Sequence, residues 1–196
     1  ASGSVDSERS LSSGDIEQAV DIKKEFNLPE DFVEQSAKEK FLKCLAGGND
    51  GAALAVKQIF GLPEEFIFTP EVQQAAKEGF LNELKRGFFN YAFEIKLKFN
   101  LSDELISTPE VQQALTEVFE EALMGHHVDD VSIYIKKFNL SEKFVEKVIK
   151  NFLIKYLTEK DSFDWRDLLK ILEKLGFTLD DFSSDSDFQQ TAIAVM

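Results

Sequence analysis

Cysteine is nearly absent from this sequence: Cys44 stands alone, so no internal disulfide can form. That usage fits a reducing compartment and favours an intracellular location, leaving the compartment itself unknown. Proline and glycine are sparse, four and ten in 196 residues, which leaves room for long regular segments. One tryptophan and three tyrosines stand against 19 phenylalanines. Phenylalanine carries no polar group, so this choice of aromatic serves to fill a core. No apolar run approaches the roughly 18 residues of a membrane span. The pattern of a secretory leader is not recognised at the start, where ASGS reads as a tag scar or a cut point.

Positive charge is also short. Lys and Arg total 22 against 36 Asp and Glu, a formal charge of −14. Nucleic-acid binders neutralise phosphates with basic side chains, so the balance disfavours RNA, and it disfavours an anionic membrane surface likewise. It predicts a basic or neutral protein partner and salt-sensitive association. Phosphate-cradling glycine loops, G-x-S-x-G, H-E-x-x-H and paired C-x-x-C are missing. No catalytic residue, cofactor or metal is assigned, and the chain is read as no enzyme.

What is there is repetition. TPEVQQA occurs at 69–75 and again at 108–114. A second motif recurs as IKKEFNL (22–28), VKQIFGL (56–62), IKLKFNL (95–101), YIKKFNL (134–140) and, more loosely, ILEKLGF (171–177). Its anchors Phe26, Phe60, Phe99, Phe138 and Leu175 are spaced 34, 39, 39 and 37 apart. The intervening segments align too: VEQSAKEKFLKCLAGG (33–48), VQQAAKEGFLNELKRG (72–87), VQQALTEVFEEALMGH (111–126) and VEKVIKNFLIKYLTEK (145–160). The first interval is shorter because it lacks five residues present before the second.

Val72, Ala75, Ala76, Phe80 and Leu84 fall on one face of a 3.6-residue period, predicting an amphipathic helix. Thr69 and Thr108 occupy the N-cap place, Pro70 and Pro109 the first helical position, and Glu71 and Glu110 the positive end of the dipole. Gly87 and Gly125 mark the stops. A shorter second helix then runs to each anchor, over roughly 88–99 in one unit and capped by Asp129 in the next. The Asn or Gly after the anchor suits a left-handed cap.

The fold predicted is all-α: a right-handed α-solenoid of helix-turn-helix repeats of about 34–39 residues. Residues 1–9 are a tail or partial first helix, and 10–196 form a single repeat domain. Its units are about 10–28, 29–62, 63–101, 102–140 and 141–177, with a partial unit at 178–196. The alignment has the chain open near the close of one first helix and stop inside another. Such ends expose packing faces and offer a route to self-association.

Two-helix units of this length resemble the tetratricopeptide and pentatricopeptide superfamily, over about residues 10–192 and in unit length and helix pairing. The Trp and Gly–Tyr positions of the tetratricopeptide pattern are absent. The TPEV helix start also loosely resembles transcription-activator-like effector repeats, without their variable pair and glycine-rich turn. No functional residue is carried over from either.

In two-helix solenoids the first helices commonly line the concave face. There Gln35, Gln73, Gln74, Gln112, Gln113, Gln189 and Gln190 would form a ladder of amides beside the apolar stripe, with Glu146 and Lys147 in the same register. The ladder is the candidate partner-binding site; its plain alternative is a solvated pair copied by duplication. His126, His127, Asp129 and Asp130 hold zinc-type ligands, yet neighbours on one loop rarely converge on one ion, so a polar turn is preferred. Cys44 aligns with Glu83, Ala122 and Tyr156 and reads as structural. Trp165 reads as packing. Phe88 and Phe89 pack under a turn or form an exposed patch. LDDFSSDSD (179–187) is an inter-unit loop that offers a phosphoacceptor or a site for a basic partner.

The function predicted is a non-catalytic scaffold binding a protein or peptide on its concave face. Single-stranded RNA binding is the alternative, by analogy with pentatricopeptide arrays. A helical accessory domain of an enzyme comes third.

Overall fold

A computed structural model describes residues 29–125, 127–159 and 165–195. The predicted tail 1–9 and the unit 10–28 with its Phe26 anchor lie outside the described residues, as does His126. The described elements are helical, and no strand occurs among them. By packing, the chain divides into two compact units, Ala1–Leu105 and Ile106–Met196.

The first unit holds α1 (Glu30–Ala46), α2 (Asp50–Phe60), α3 (Pro70–Lys85) and α4 (Phe89–Lys98), with a 3-10 turn at Glu64–Phe68. The long helices α1 and α3 pack on each other; α2 packs on α1 and α4 on α3. The sequence dictates this through a stripe repeated every four residues. On α1, Val33, Ala37, Phe41 and Leu45 are buried; on α3, Val72, Ala76, Phe80 and Leu84 are. Full burial of one such large side chain contributes about 1.5–3 kcal/mol. Phe41 meets Phe66 of the 3-10 turn and the anchor Phe99 edge-on, at 5.2 and 6.2 Å.

α1 and α3 approach closely where Gly79 faces the Leu45 carbonyl, and any Cβ at Gly79 would collide with that oxygen. Beside it the Asn82 amide donates to the Ala46 carbonyl at 2.9 Å. Glu83 is fully buried there, its carboxylate 3.1 Å from the Arg86 guanidinium.

The second unit holds α5 (Pro109–Met124), α6 (Val128–Lys137), α7 (Glu142–Glu159), α8 (Trp165–Leu175) and α9 (Ser186–Val195). A 3-10 turn lies at Leu179–Phe182, and another, Asp103–Ser107, spans the boundary between the units. α7 packs against both α5 and α9, while α6 packs against α5 and α8. The same stripe is buried: Val111, Leu115, Phe119 and Leu123 on α5, and Val145, Ile149, Leu153 and Leu157 on α7. Of the described anchors, Phe99 and Phe138 are buried and Phe60 and Leu175 half-buried.

Helix ends follow the sequence with two corrections. Gly61, Asn100, Asn139 and Gly176, each one residue past an anchor, are left-handed, with φ of 65°, 50°, 49° and 82°. Asn tolerates that conformation because its short side chain bonds locally. Pro70 and Pro109 open α3 and α5, but Thr69 and Thr108 make no side-chain cap bond. The Thr69 hydroxyl is instead buried without a partner, while its carbonyl accepts from the Gln73 backbone N–H at 2.9 Å. Asp129 is not the cap of α6: the helix starts at Val128, and Asp129, already inside it, pairs with Lys174 of α8 at 2.8 Å.

A further pair recurs in the first unit. Lys57 near the end of α2 bonds Glu64, and Lys96 near the end of α4 bonds Asp103 at 2.5 Å, each across the left-handed turn. In the next repeat Ile135 takes the lysine's place, and the helix α7 runs on directly from Ser141, without the inserted 3-10 turn.

Candidate functional site

The second unit carries an open groove of about 550 Å³. One wall is the start of α7, whose Lys143, Lys147 and Lys150 recur at helical spacing along a single face. Gln112 of α5 flanks it, and Asp181, Ser184 and Asp185 form the opposite rim. Phe144 and Phe182, both buried, close its floor.

Local chemistry builds each wall. Ser141 caps α7, its Oγ accepting from the Phe144 N–H at 3.3 Å. Thr178 and Asp181 form a reciprocal capping box around the 3-10 turn: the Asp181 carboxylate accepts from the Thr178 N–H at 2.7 Å and from its hydroxyl at 3.0 Å. Asp185 Oδ1 accepts from the Asp187 and Phe188 N–H groups, both at 3.1 Å, and so starts α9. The rim is then tied to α7 by Lys150, 2.6 Å from Asp185 and 3.1 Å from Asp187. The bond to Asp185 leads in holding the Lys150 ammonium above its ordinary range, and the Lys150 bond leads in holding the Asp185 carboxyl below its own.

The glutamine ladder resolves into two kinds of residue. Gln74, Gln113 and Gln35 are exposed, and each donates to the glutamate four residues on: Glu78 at 2.9 Å, Glu117 at 2.9 Å and Glu39 at 3.0 Å. Gln73 is half-buried and works inside the fold, donating to the Ile67 carbonyl at 3.1 Å and the Phe99 carbonyl at 3.0 Å. Gln189 makes the corresponding local bond, to the Ser183 carbonyl at 2.5 Å. Gln190 is exposed on α9. Gln112, in the register of Gln73, enters the groove. The structure therefore brings Gln112 and the 179–187 segment together around α7, a convergence that neither motif announces.

Other candidates fall elsewhere. Cys44 is half-buried in α1, and burial pushes its thiol up, with Lys40 and Lys43 pulling it back. Phe89 is buried, whereas Phe88 is half-buried beneath the Arg86 guanidinium, 4.9 Å from the ring centre. The Trp165 side chain lies outside the described residues. No group of three or more His, Cys, Asp and Glu side chains able to hold a metal occurs among the described residues, and no described helix is long and apolar enough to cross a membrane.

Lys143 escaped the sequence reading, and Lys147 entered it only as a register partner of the glutamine ladder, although the repeats mark both. In the register of the long helices Lys143 takes the place of Asp31 in α1, where α3 and α5 have their opening Pro70 and Pro109. Lys147 takes the place of Gln35, Gln74 and Gln113, and its i+4 neighbour is Asn151 where theirs is glutamate. Compared with known protein families, curated proteins and solved structures, the chain shows no match.

Proposed function

We propose that this chain is a non-catalytic helical-repeat scaffold whose groove on the second unit holds an extended protein or peptide segment. The observation that carries it is the groove itself, where a first helix, the start of the next and the rim before a third offer an amide, ammonium groups and carboxylates over an apolar floor. An extended chain exposes alternating N–H and C=O groups, which this mixture of donors and acceptors suits. Within each unit, long helices in contact with one another and short helices packed beside them support stacked helix pairs of the tetratricopeptide-like kind. Polar contacts repeated along such a surface would set register, and terminal units would serve self-association.

The test is a displayed library of random twelve-residue peptides selected on the full chain. The reading expects a recovered family that binds the native chain and loses affinity on a Gln112→Ala, Phe144→Ala variant. A Gln112→Ala single variant guards against loss of the fold. Recovery of nothing, or binding indifferent to both variants, would overturn it. So would an oligouridine probe that binds more tightly than every peptide, which is the outcome the RNA reading requires.

A further inference from the structure

Resting on that peptide-binding reading, we infer that the groove selects acidic segments, against the sign expected from the charge of the whole chain. Total charge governs approach from a distance, beyond the Debye length of about 8 Å at physiological salt. Selection in a groove is set by the groups that line it, and these are not typical of the chain. The lining holds Lys143, Lys147 and Lys150 against Glu146, Asp181 and Asp185, an even balance within a chain of net −14.

The carboxylates of the lining are largely occupied. Asp185 is held by Lys150 and by two backbone N–H groups, and Asp181 by Thr178, which leaves Glu146. The lysines are not. Lys150 is paired, but Lys143 and Lys147 make no ion pair among the described residues. They lie four apart, one above the other on the wall of α7.

The repeat shows what was changed. In the helix register that sets Val145 against Val33, Lys143 stands where α1, the other copy without the inserted 3-10 turn, carries Asp31, so its charge is reversed; α3 and α5 have Pro70 and Pro109 there. At the position of Lys147 the copies carry an exposed glutamine bonded to a glutamate four residues on. Here the glutamine has become a cation and the glutamate has become Asn151. Relative to α1, two acids are thus missing and two cations present at one place, and a ligand's carboxylates would supply what α1 carries itself. Both lining aromatics are buried, leaving no ring for a base to stack on, which favours a peptide over a nucleic acid.

The experiment restores the repeat. In a Lys143→Glu, Asn151→Glu variant both positions regain an acid, as in α1, and circular dichroism with urea unfolding verifies that it folds as the parent. A labelled twelve-residue peptide of alternating Glu and Ala, and one of alternating Lys and Ala, are titrated into both proteins by fluorescence anisotropy. The inference expects the acidic peptide to bind the parent, more weakly as salt rises, and to lose about tenfold or more on the variant. A Lys143→Gln, Lys147→Gln variant should lose acidic-peptide affinity similarly, and an exposed Lys85→Gln control should not. Preference of the parent for the basic peptide, or equal binding of the acidic peptide by parent and variant, would overturn it. If the random library still yields groove-dependent peptides that are basic or neutral, the scaffold reading stands and the acidic preference falls. An empty library would sink both.

Discussion

The Gln73 side-chain amide donates to the carbonyl oxygen of Phe99, 26 residues further along, at 3.0 Å. Its second donor takes the Ile67 carbonyl at 3.1 Å, so one side chain closes the 3-10 turn ahead of its own helix and the end of the helix after it. Gln74, one residue on, meets a glutamate in solvent. Gln73→Ala should therefore cost about 1–3 kcal/mol, since two carbonyls lose their donor. Gln74→Ala should stay within about 0.5 kcal/mol. Urea unfolding of the two variants checks the contrast; equal effects would refute it.

Two glycine substitutions should act with opposite signs. Gly79→Ala drives a methyl into the Leu45 backbone oxygen, which α1 cannot yield without moving, and overpacking of this kind costs about 1–3 kcal/mol. At Gly51, in the first turn of α2, a Cβ would meet only the Asn49 Oδ1, at an ordinary contact distance of 3.9 Å. Gly51→Ala should therefore gain about 0.5–1 kcal/mol from helix propensity alone. Thermal melts of the pair decide it.

The tie between Lys150 and Asp185 sets a pH window. Because the Asp185 carboxyl titrates below its ordinary range when folded, its contribution is present above the unfolded value and lost as pH falls through the folded one. Lys150 titrates above its ordinary range, so its contribution holds until pH rises through that higher value. Asp185→Asn keeps a good N-cap for α9 while removing the charge. The variant should melt below the parent at neutral pH, and the gap should close as the solution is acidified below about pH 4. A gap unchanged at pH 2.5 would contradict the assignment.

Cys44 should be sluggish. Burial raises its thiol, leaving less thiolate at neutral pH than in a free cysteine. Reaction with a disulfide reagent at pH 8 should be several-fold slower than for glutathione and should recover in urea. Reaction as fast as for the free thiol in the folded chain would point to a thiolate-stabilising site.

Much of the fold was legible because burial imposes a period. Val72, Ala76, Phe80 and Leu84 announced a helix face, Pro70 its first residue, and Asn100 and Asn139 the left-handed ends. Side-chain roles at the margin of that face were less legible. Gln73 and Gln74 are identical in composition, and a rotation of about 100° between neighbours puts one amide against carbonyls and the other in water. Glu83 is an acid in a buried position, and its alignment with Cys44, Ala122 and Tyr156 carried that signal. The groove was least visible, because it needs three segments separated by up to 73 positions to meet, from Gln112 to Asp185. Yet its lysines were the residues that broke the repeat.

The two bonds of Gln73 also bear on how the first unit comes apart. A carbonyl just before α3 and another at the end of α4 depend on the same amide, so fluctuations that release one weaken the hold on the other. Backbone hydrogen exchange should then report an opening segment that runs from Glu64–Phe68 to Phe99, shifted from the boundaries read by aligning the motifs. The repeat marks out one block of sequence, and the opening expected from these two bonds follows another, offset along the chain.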